Sequence, residues 1–170
     1  MSLLLEAQTT SGIVQGLPAE SQQWSIFKGI PYAAAPLNNL RWRPPQPAEK
    51  WNEPFKAYSY GDIPLQNRSK PGTFYHDEFH LYDWPMSEDC LTIDIITPAH
   101  SNTDKLPVAV WIYGGGFATG YSHTVAYGGG AFAKRGIVYV SFNYRINMFG
   151  FFQMNCSTRN QATTDPAIMA

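Results

Sequence analysis

The sequence predicts an α/β fold built on a mixed sheet, with N-terminal antiparallel strands leading into parallel ones. Two observations carry this. Short alternating runs at Leu3 to Ala7 and Gly12 to Gly16 are separated by Gln8-Thr9-Thr10-Ser11, which is hairpin patterning. Further on, Pro107 to Tyr113 and Gly136 to Phe142 are continuous apolar runs of strand length with a helical stretch between them. Continuous runs suggest strands buried on both faces, as in a parallel sheet under helices.

Trp24 to Gly29 reads as a third strand. The chain is then punctuated by Pro31, Pro36, Pro44, Pro45, Pro47 and Pro54, which is extended loop because proline fixes φ and donates no hydrogen bond. Leu65 to Pro85 is aromatic and polar without a period, and no regular structure is assigned to it. Leu91 to Thr97 alternates and ends at Pro98, as a strand does. Ala131 to Arg135 reads as a helix with cations near its C-terminus and Gly136 as its cap. Gly128-Gly129-Gly130 reads as a flexible lead-in to that helix, and Gln161 to Ala170 as the start of another.

Length and composition bound the function. The 170 residues suffice for one domain with its own core. Apolar residues make up 44% and charged residues 15%, which places the chain among globular proteins rather than disordered ones. The net charge of −1 is scattered, with no basic stripe for nucleic acid. No apolar run approaches the roughly 18 residues that a membrane span needs. The N-terminus lacks the basic and long apolar regions of a signal peptide, and Cys90 and Cys156 read as free thiols, with a lone disulfide between them as the alternative. Both observations point to a cytoplasmic setting.

Chemistry enters at Gly114-Gly115-Gly116-Phe117, directly after the strand run ending at Tyr113. Three glycines at a strand's carboxyl end let backbone N–H groups converge on one point, such as the oxygen that turns anionic during acyl transfer. On their own they fit a tight turn beside a packed strand equally well. A phosphate loop is disfavoured, since no Gly-Lys-Ser/Thr follows and the spacing is not G-x-G-x-x-G.

Ordered blocks across nearly the whole chain narrow the choice. They are Phe27 to Ala33 (FKGIPYA), Leu40 to Pro45 (LRWRPP), Ser87 to Leu91 (SEDCL), Val110 to Phe117 (VWIYGGGF) and Asn143-Tyr144-Arg145. Through them the sequence resembles the type-B carboxylesterase/cholinesterase family. The resemblance implies that residues 1–170 are the N-terminal portion of an α/β-hydrolase fold whose substrate is a small-molecule carboxylic ester, with no metal or other cofactor. It implies that Gly115 and Gly116 supply oxyanion-hole N–H groups, supported by Gly114 and Phe117. It also implies two structural ion pairs, one between Arg41 and Glu88 and one between Arg145 and Asp165. From the bare sequence Arg41 and Glu88 would read as solvated charges. The family's usual cysteine partner for Cys90 is missing from Tyr60 to Gln66, so Cys90 is expected to be a buried, unpaired thiol.

The hydrolase mechanism also needs a serine in G-x-S-x-G, then an acid, then a histidine. No complete G-x-S-x-G is present. Gly120-Tyr121-Ser122-His123-Thr124 approaches it but ends in threonine with no strand leading in, and sequence neighbours such as Ser122 and His123 rarely make a triad. His76 and His80 with Asp77, Glu78 and Asp83 would suit a metal only on a helix, so a solvated loop is the expectation there. The expected role is therefore to supply the oxyanion loop of an ester hydrolase while being inactive alone. The alternative is a non-catalytic interaction module or a gene relic.

Overall fold

The computed structural model describes residues 2–78, 84–124 and 128–152. Strands β1 (Glu6–Gln8) and β2 (Ile13–Gln15) form the expected antiparallel hairpin. A two-residue strand follows at Leu17–Pro18 (β3), then the longer β4 (Ser25–Pro31). Within the proline-rich stretch lie a 3-10 turn at Asn38–Leu40 and β5 (Phe55–Lys56), which pairs parallel to β2. The small strands β6 (Ile63–Pro64) and β7 (Met86–Ser87) pair parallel and bracket the long aperiodic segment. That segment does contain regular structure, contrary to expectation: Phe74–Glu78 forms a helical turn, α1. A five-residue apolar-poor stretch leaves no periodic signal to read.

The main sheet is completed by β8 (Thr92–Thr97), β9 (Val108–Trp111) and β10 (Val138–Phe142), in the order β3-β4-β8-β10-β9. β4–β8 and β8–β10 are antiparallel and β9–β10 is parallel, so antiparallel strands lead into a parallel pair. The core between the two larger sheets joins Val14, Phe27, Ile30 and Ala57, with Trp51, Phe55, Ile93 and Ile95 packed on it. Each fully buried large side chain there stabilises the fold by about 1.5–3 kcal/mol.

One expectation about this sheet is corrected. The continuous apolar run at Pro107 to Tyr113 is not buried on both faces: Val108, Val110, Trp111 and Ile112 are exposed. In the described sheet β9 is terminal, because β10 crosses over and inserts between β8 and β9. An apolar run reports what a strand can bury, not which neighbours it has.

Helix α2 (Gly130–Ala133) occupies part of the expected helix. It closes on Gly136 at φ +75°, whose N–H donates to the Ala133 carbonyl, while Ile137 N–H donates to Phe132. Two of the glycines expected as a flexible lead-in, Gly129 and Gly130, have a packing role. A Cβ on Gly129 would lie 2.3 Å from the Tyr139 ring, and one on Gly130 would lie 2.9 Å from Trp24, so they permit close packing of α2 on the sheet. A last helical turn, α3, spans Asn147–Gly150. Cys156, Asp165 and the expected helix at Gln161 to Ala170 lie outside the described residues.

Candidate active site

The strand end is fixed before the glycines begin. Tyr113 is buried and stacks on Tyr144 at 4.3 Å between ring centroids. Tyr113 OH donates to the Tyr144 carbonyl at 3.2 Å, and Tyr144 OH donates to the Tyr113 carbonyl at 2.6 Å. Desolvation raises both phenol pKa values, keeping them protonated as donors.

From there the chain turns through Gly115 at φ +133°, Gly116 at φ +62° and Phe117 at φ +60°. The Gly115 carbonyl accepts from Ala118 N–H at 3.1 Å and Thr119 N–H at 3.2 Å, which closes the turn. A Cβ on Gly115 would lie 1.9 Å from the Thr119 carbonyl oxygen, so that position admits only glycine. At Gly116 nothing lies within 4 Å of a built Cβ, so the demand there is conformational. Among the described residues, the N–H groups of Gly115 and Gly116 donate to no protein acceptor. Both residues are exposed, so the segment that carries these two donors is open to solvent. Phe117 is exposed as well, and its ring lies 4.6 Å from that of Phe151.

Arg41 and Glu88 meet in a two-bond fork, Nε to Oε2 at 2.6 Å and Nη2 to Oε1 at 2.5 Å. The fork fixes the end of the 3-10 turn against the segment leading into β8, and it raises the guanidinium pKa further. Arg145 is 3% exposed and its Nη1 donates to the Arg43 carbonyl at 2.9 Å. Burial lowers its pKa, and its Nε and Nη2 have no partner among the described residues. Cys90 is a free, buried thiol whose pKa burial pushes up to about 12, so it is inert as a nucleophile at neutral pH.

The structure also gathers residues whose roles no motif announced. Asp94, in the middle of β8, is 5% exposed. Its Oδ1 accepts from Gly29 N–H at 2.8 Å, where a register shift in β4 frees that donor, and its Oδ2 accepts from Ser122 Oγ at 2.7 Å. Ser122 N–H donates to Asn143 Oδ1 at 2.8 Å. His123 Nδ1 lies 3.4 Å from Ser122 Oγ and 4.0 Å from Asp94 Oδ2, with the ring stacked on Tyr60 at 4.4 Å. A serine, a histidine and an aspartate therefore do converge, but not as a triad. The hydroxyl gives its proton to the carboxylate instead of the imidazole, and one ring nitrogen faces both partners. Ser122 is 2% exposed, beyond the reach of a substrate. A charged residue inside an apolar strand was the signal available for this cluster, since a buried carboxylate needs partners. His76 sits on α1 and bonds Asp77 Oδ1 at 2.7 Å, and no metal-binding cluster occurs among the described residues.

The profile of the Carboxylesterase family matches residues 4–165. The chain belongs to the carboxylesterase family. This carboxylesterase-family chain is 41% identical over 159 residues to the acetylcholinesterase of Electrophorus electricus, covering 90% of the chain and 25% of that protein. It is 37% identical over 153 residues to the fumonisin B1 esterase of Sphingopyxis macrogoltabida, covering 86% and 25%. Among solved structures, a Geobacillus stearothermophilus carboxylesterase superposes with a TM-score of 0.72 at 36% identity, over 87% of this chain and 28% of that one. A PNB esterase gives 0.75 at 31% identity, over 88% and 29%. These similarities identify the architecture as a partial α/β-hydrolase fold. The chain spans about a quarter of the length of the curated relatives it matches.

Proposed function

We propose that this chain supplies the oxyanion-hole loop of a carboxylic ester hydrolase, with Gly115 and Gly116 N–H as the donors. The serine nucleophile, its acid and its histidine come from outside these 170 residues, and the chain alone does not turn over. The observation that carries this reading is the pair of amides at Gly115 and Gly116, held by a closed turn and claimed by no described acceptor.

The chemistry follows from that geometry. A serine attacks the ester carbonyl, and the oxygen gains negative charge as the carbon becomes tetrahedral. Amides already turned toward that oxygen need no reorganisation as the charge develops. Each donor of this kind contributes about 3–4 kcal/mol to the transition state. The alcohol then leaves, and water releases the acid from the acyl-enzyme. A non-catalytic interaction module with this turn would need the same glycines, but it would have no use for two backbone donors left without an acceptor, and that favours the enzyme.

Turnover tests the reading. The purified 170-residue chain should leave p-nitrophenyl acetate hydrolysis at the buffer rate. A chimera in which residues 2–152 replace the matching segment of the Geobacillus stearothermophilus carboxylesterase should hydrolyse it. Serine-dependent turnover by the pure chain would overturn the division of labour.

A further inference from the structure

Residues 64–66 reach the glycine loop from a distant part of the chain. The Gln66 side-chain amide engages both polar backbone atoms of Gly120. Gly120 N–H donates to Gln66 Oε1 at 2.7 Å, and Gln66 Nε2 donates to the Gly120 carbonyl at 3.0 Å. Nε2 also donates to the Pro64 carbonyl at 3.0 Å, closing the side chain back onto its own segment. One residue earlier, the Leu65 carbonyl accepts from Asn147 Nδ2 at 2.5 Å, while Asn147 N–H donates to the Phe117 carbonyl at 2.6 Å. The loop is thus attached at its crest through Phe117 and at its exit through Gly120, and both attachments lead to residues 64–66. That segment is anchored in turn, because β6 pairs with β7 and β7 runs into Glu88, the partner of Arg41.

We propose that Gln66 and Asn147 are positioning residues for the oxyanion loop, fixing where the Gly115 and Gly116 amides point. The inference rests on the reading that those amides receive the oxyanion. A segment containing Gly114, Gly115, Gly116 and Gly120 loses more conformational entropy on ordering than any other kind. The turn bonds to the Gly115 carbonyl fix its shape but not its orientation to the sheet. Orientation comes from the two clasps. A neutral amide is required at Gln66 because one side chain must accept from an N–H and donate to a carbonyl of the same residue. Glutamate has the same shape and cannot donate when ionised. Asn147 stands at φ +49°, so glycine there keeps the backbone and its bond to Phe117 while deleting the side-chain link to Leu65, together with the 3.2 Å bond that Asn147 Oδ1 accepts from Phe149 N–H within α3.

The test pairs two measurements. Hydrogen exchange by mass spectrometry is run on the 170-residue chain and its Gln66→Glu and Asn147→Gly variants at low micromolar concentration. The same substitutions, with Gly116→Ala as reference, are assayed in the chimera. Exchange across residues 114–120 should rise about ten-fold or more in each variant while β8 keeps its protection. Turnover should fall about ten-fold or more with KM within about two-fold, as misplacement of catalytic groups does. Unchanged exchange in 114–120 overturns the proposal whatever the turnover, as does loss of protection spread equally over β8. A loosened loop with intact kcat also overturns it when Gly116→Ala is impaired, because the oxyanion reading then survives without the clasps. If Gly116→Ala also leaves kcat intact, the oxyanion reading itself has failed.

Discussion

His123 shows how a single residue can be read wrongly from its neighbours and correctly from its surroundings. Beside Ser122 it suggests catalysis, yet its side chain is 1% exposed and wedged among Tyr60, Tyr121 and Trp84. Burial first, and the Lys28 charge second, lower its pKa to about 4, so it is neutral in the folded protein. In the unfolded chain it titrates near the ordinary 6.5. The unfolded state therefore binds more protons between these values, and stability that is full above about pH 6.5 is lost as pH falls toward 4, on the order of 3 kcal/mol. Burial raises the Asp94 pKa, which works in the opposite direction, so the histidine must be isolated by comparison. His123→Phe keeps a ring against Tyr60 and removes the titration. Denaturant melts should show the parent losing stability relative to this variant between pH 7 and pH 4.5. Parallel losses in both would contradict a buried neutral histidine. At Gly116 the prediction concerns rate. Alanine there meets no atom within 4 Å but must hold φ +62°, at about 1 kcal/mol. In the chimera Gly116→Ala should lower kcat about ten-fold with little change in KM. An unaltered kcat would remove Gly116 from the donor role.

At the scale of elements, most of what chain pattern reports was there to be read. Strands β2, β8, β9 and β10 fall within the runs that predicted them, while β1, β4 and α2 overlap theirs and extend past them at Gln8, at Ile30 and Pro31, and at Gly130. Burial of β9 was not legible, because strand order is set by connections and partners that no single run encodes. The clasp by Gln66 and Asn147 was equally hidden: each is one polar residue in an aperiodic stretch, recognisable only once residues 64–66 and 114–120 are side by side. The glycine loop was legible because three adjacent glycines at a strand's end are constrained by both sterics and φ. A consequence of the β9 position is self-association. Val108, Val110 and Ile112 project from one side of a terminal strand, and exposed apolar edges recruit other chains. Val110→Lys should shift the chain from oligomer to monomer in sedimentation at the same concentration. Identical sedimentation of the two proteins would locate the sticky surface elsewhere.

For the molecule as a whole, the sheet acts as a frame that brings distant segments to one loop. The ion pair of Arg41 and Glu88, the β6–β7 pair, the Tyr113–Tyr144 stack and the Asp94–Ser122 bond all surround residues 113–122, and none of them touches the two amides left open. That division, with support everywhere and the donors free, is what electrostatic preorganisation requires. The most direct measurement is a crystal structure of the chimera with its nucleophile trapped as a phosphonate adduct, whose tetrahedral phosphorus carries an oxygen where the oxyanion would form. That oxygen should lie about 2.7–3.1 Å from both the Gly115 and Gly116 nitrogens, with residues 114–120 unmoved. A phosphonyl oxygen held by other groups, with these amides turned away from it, would contradict that placement.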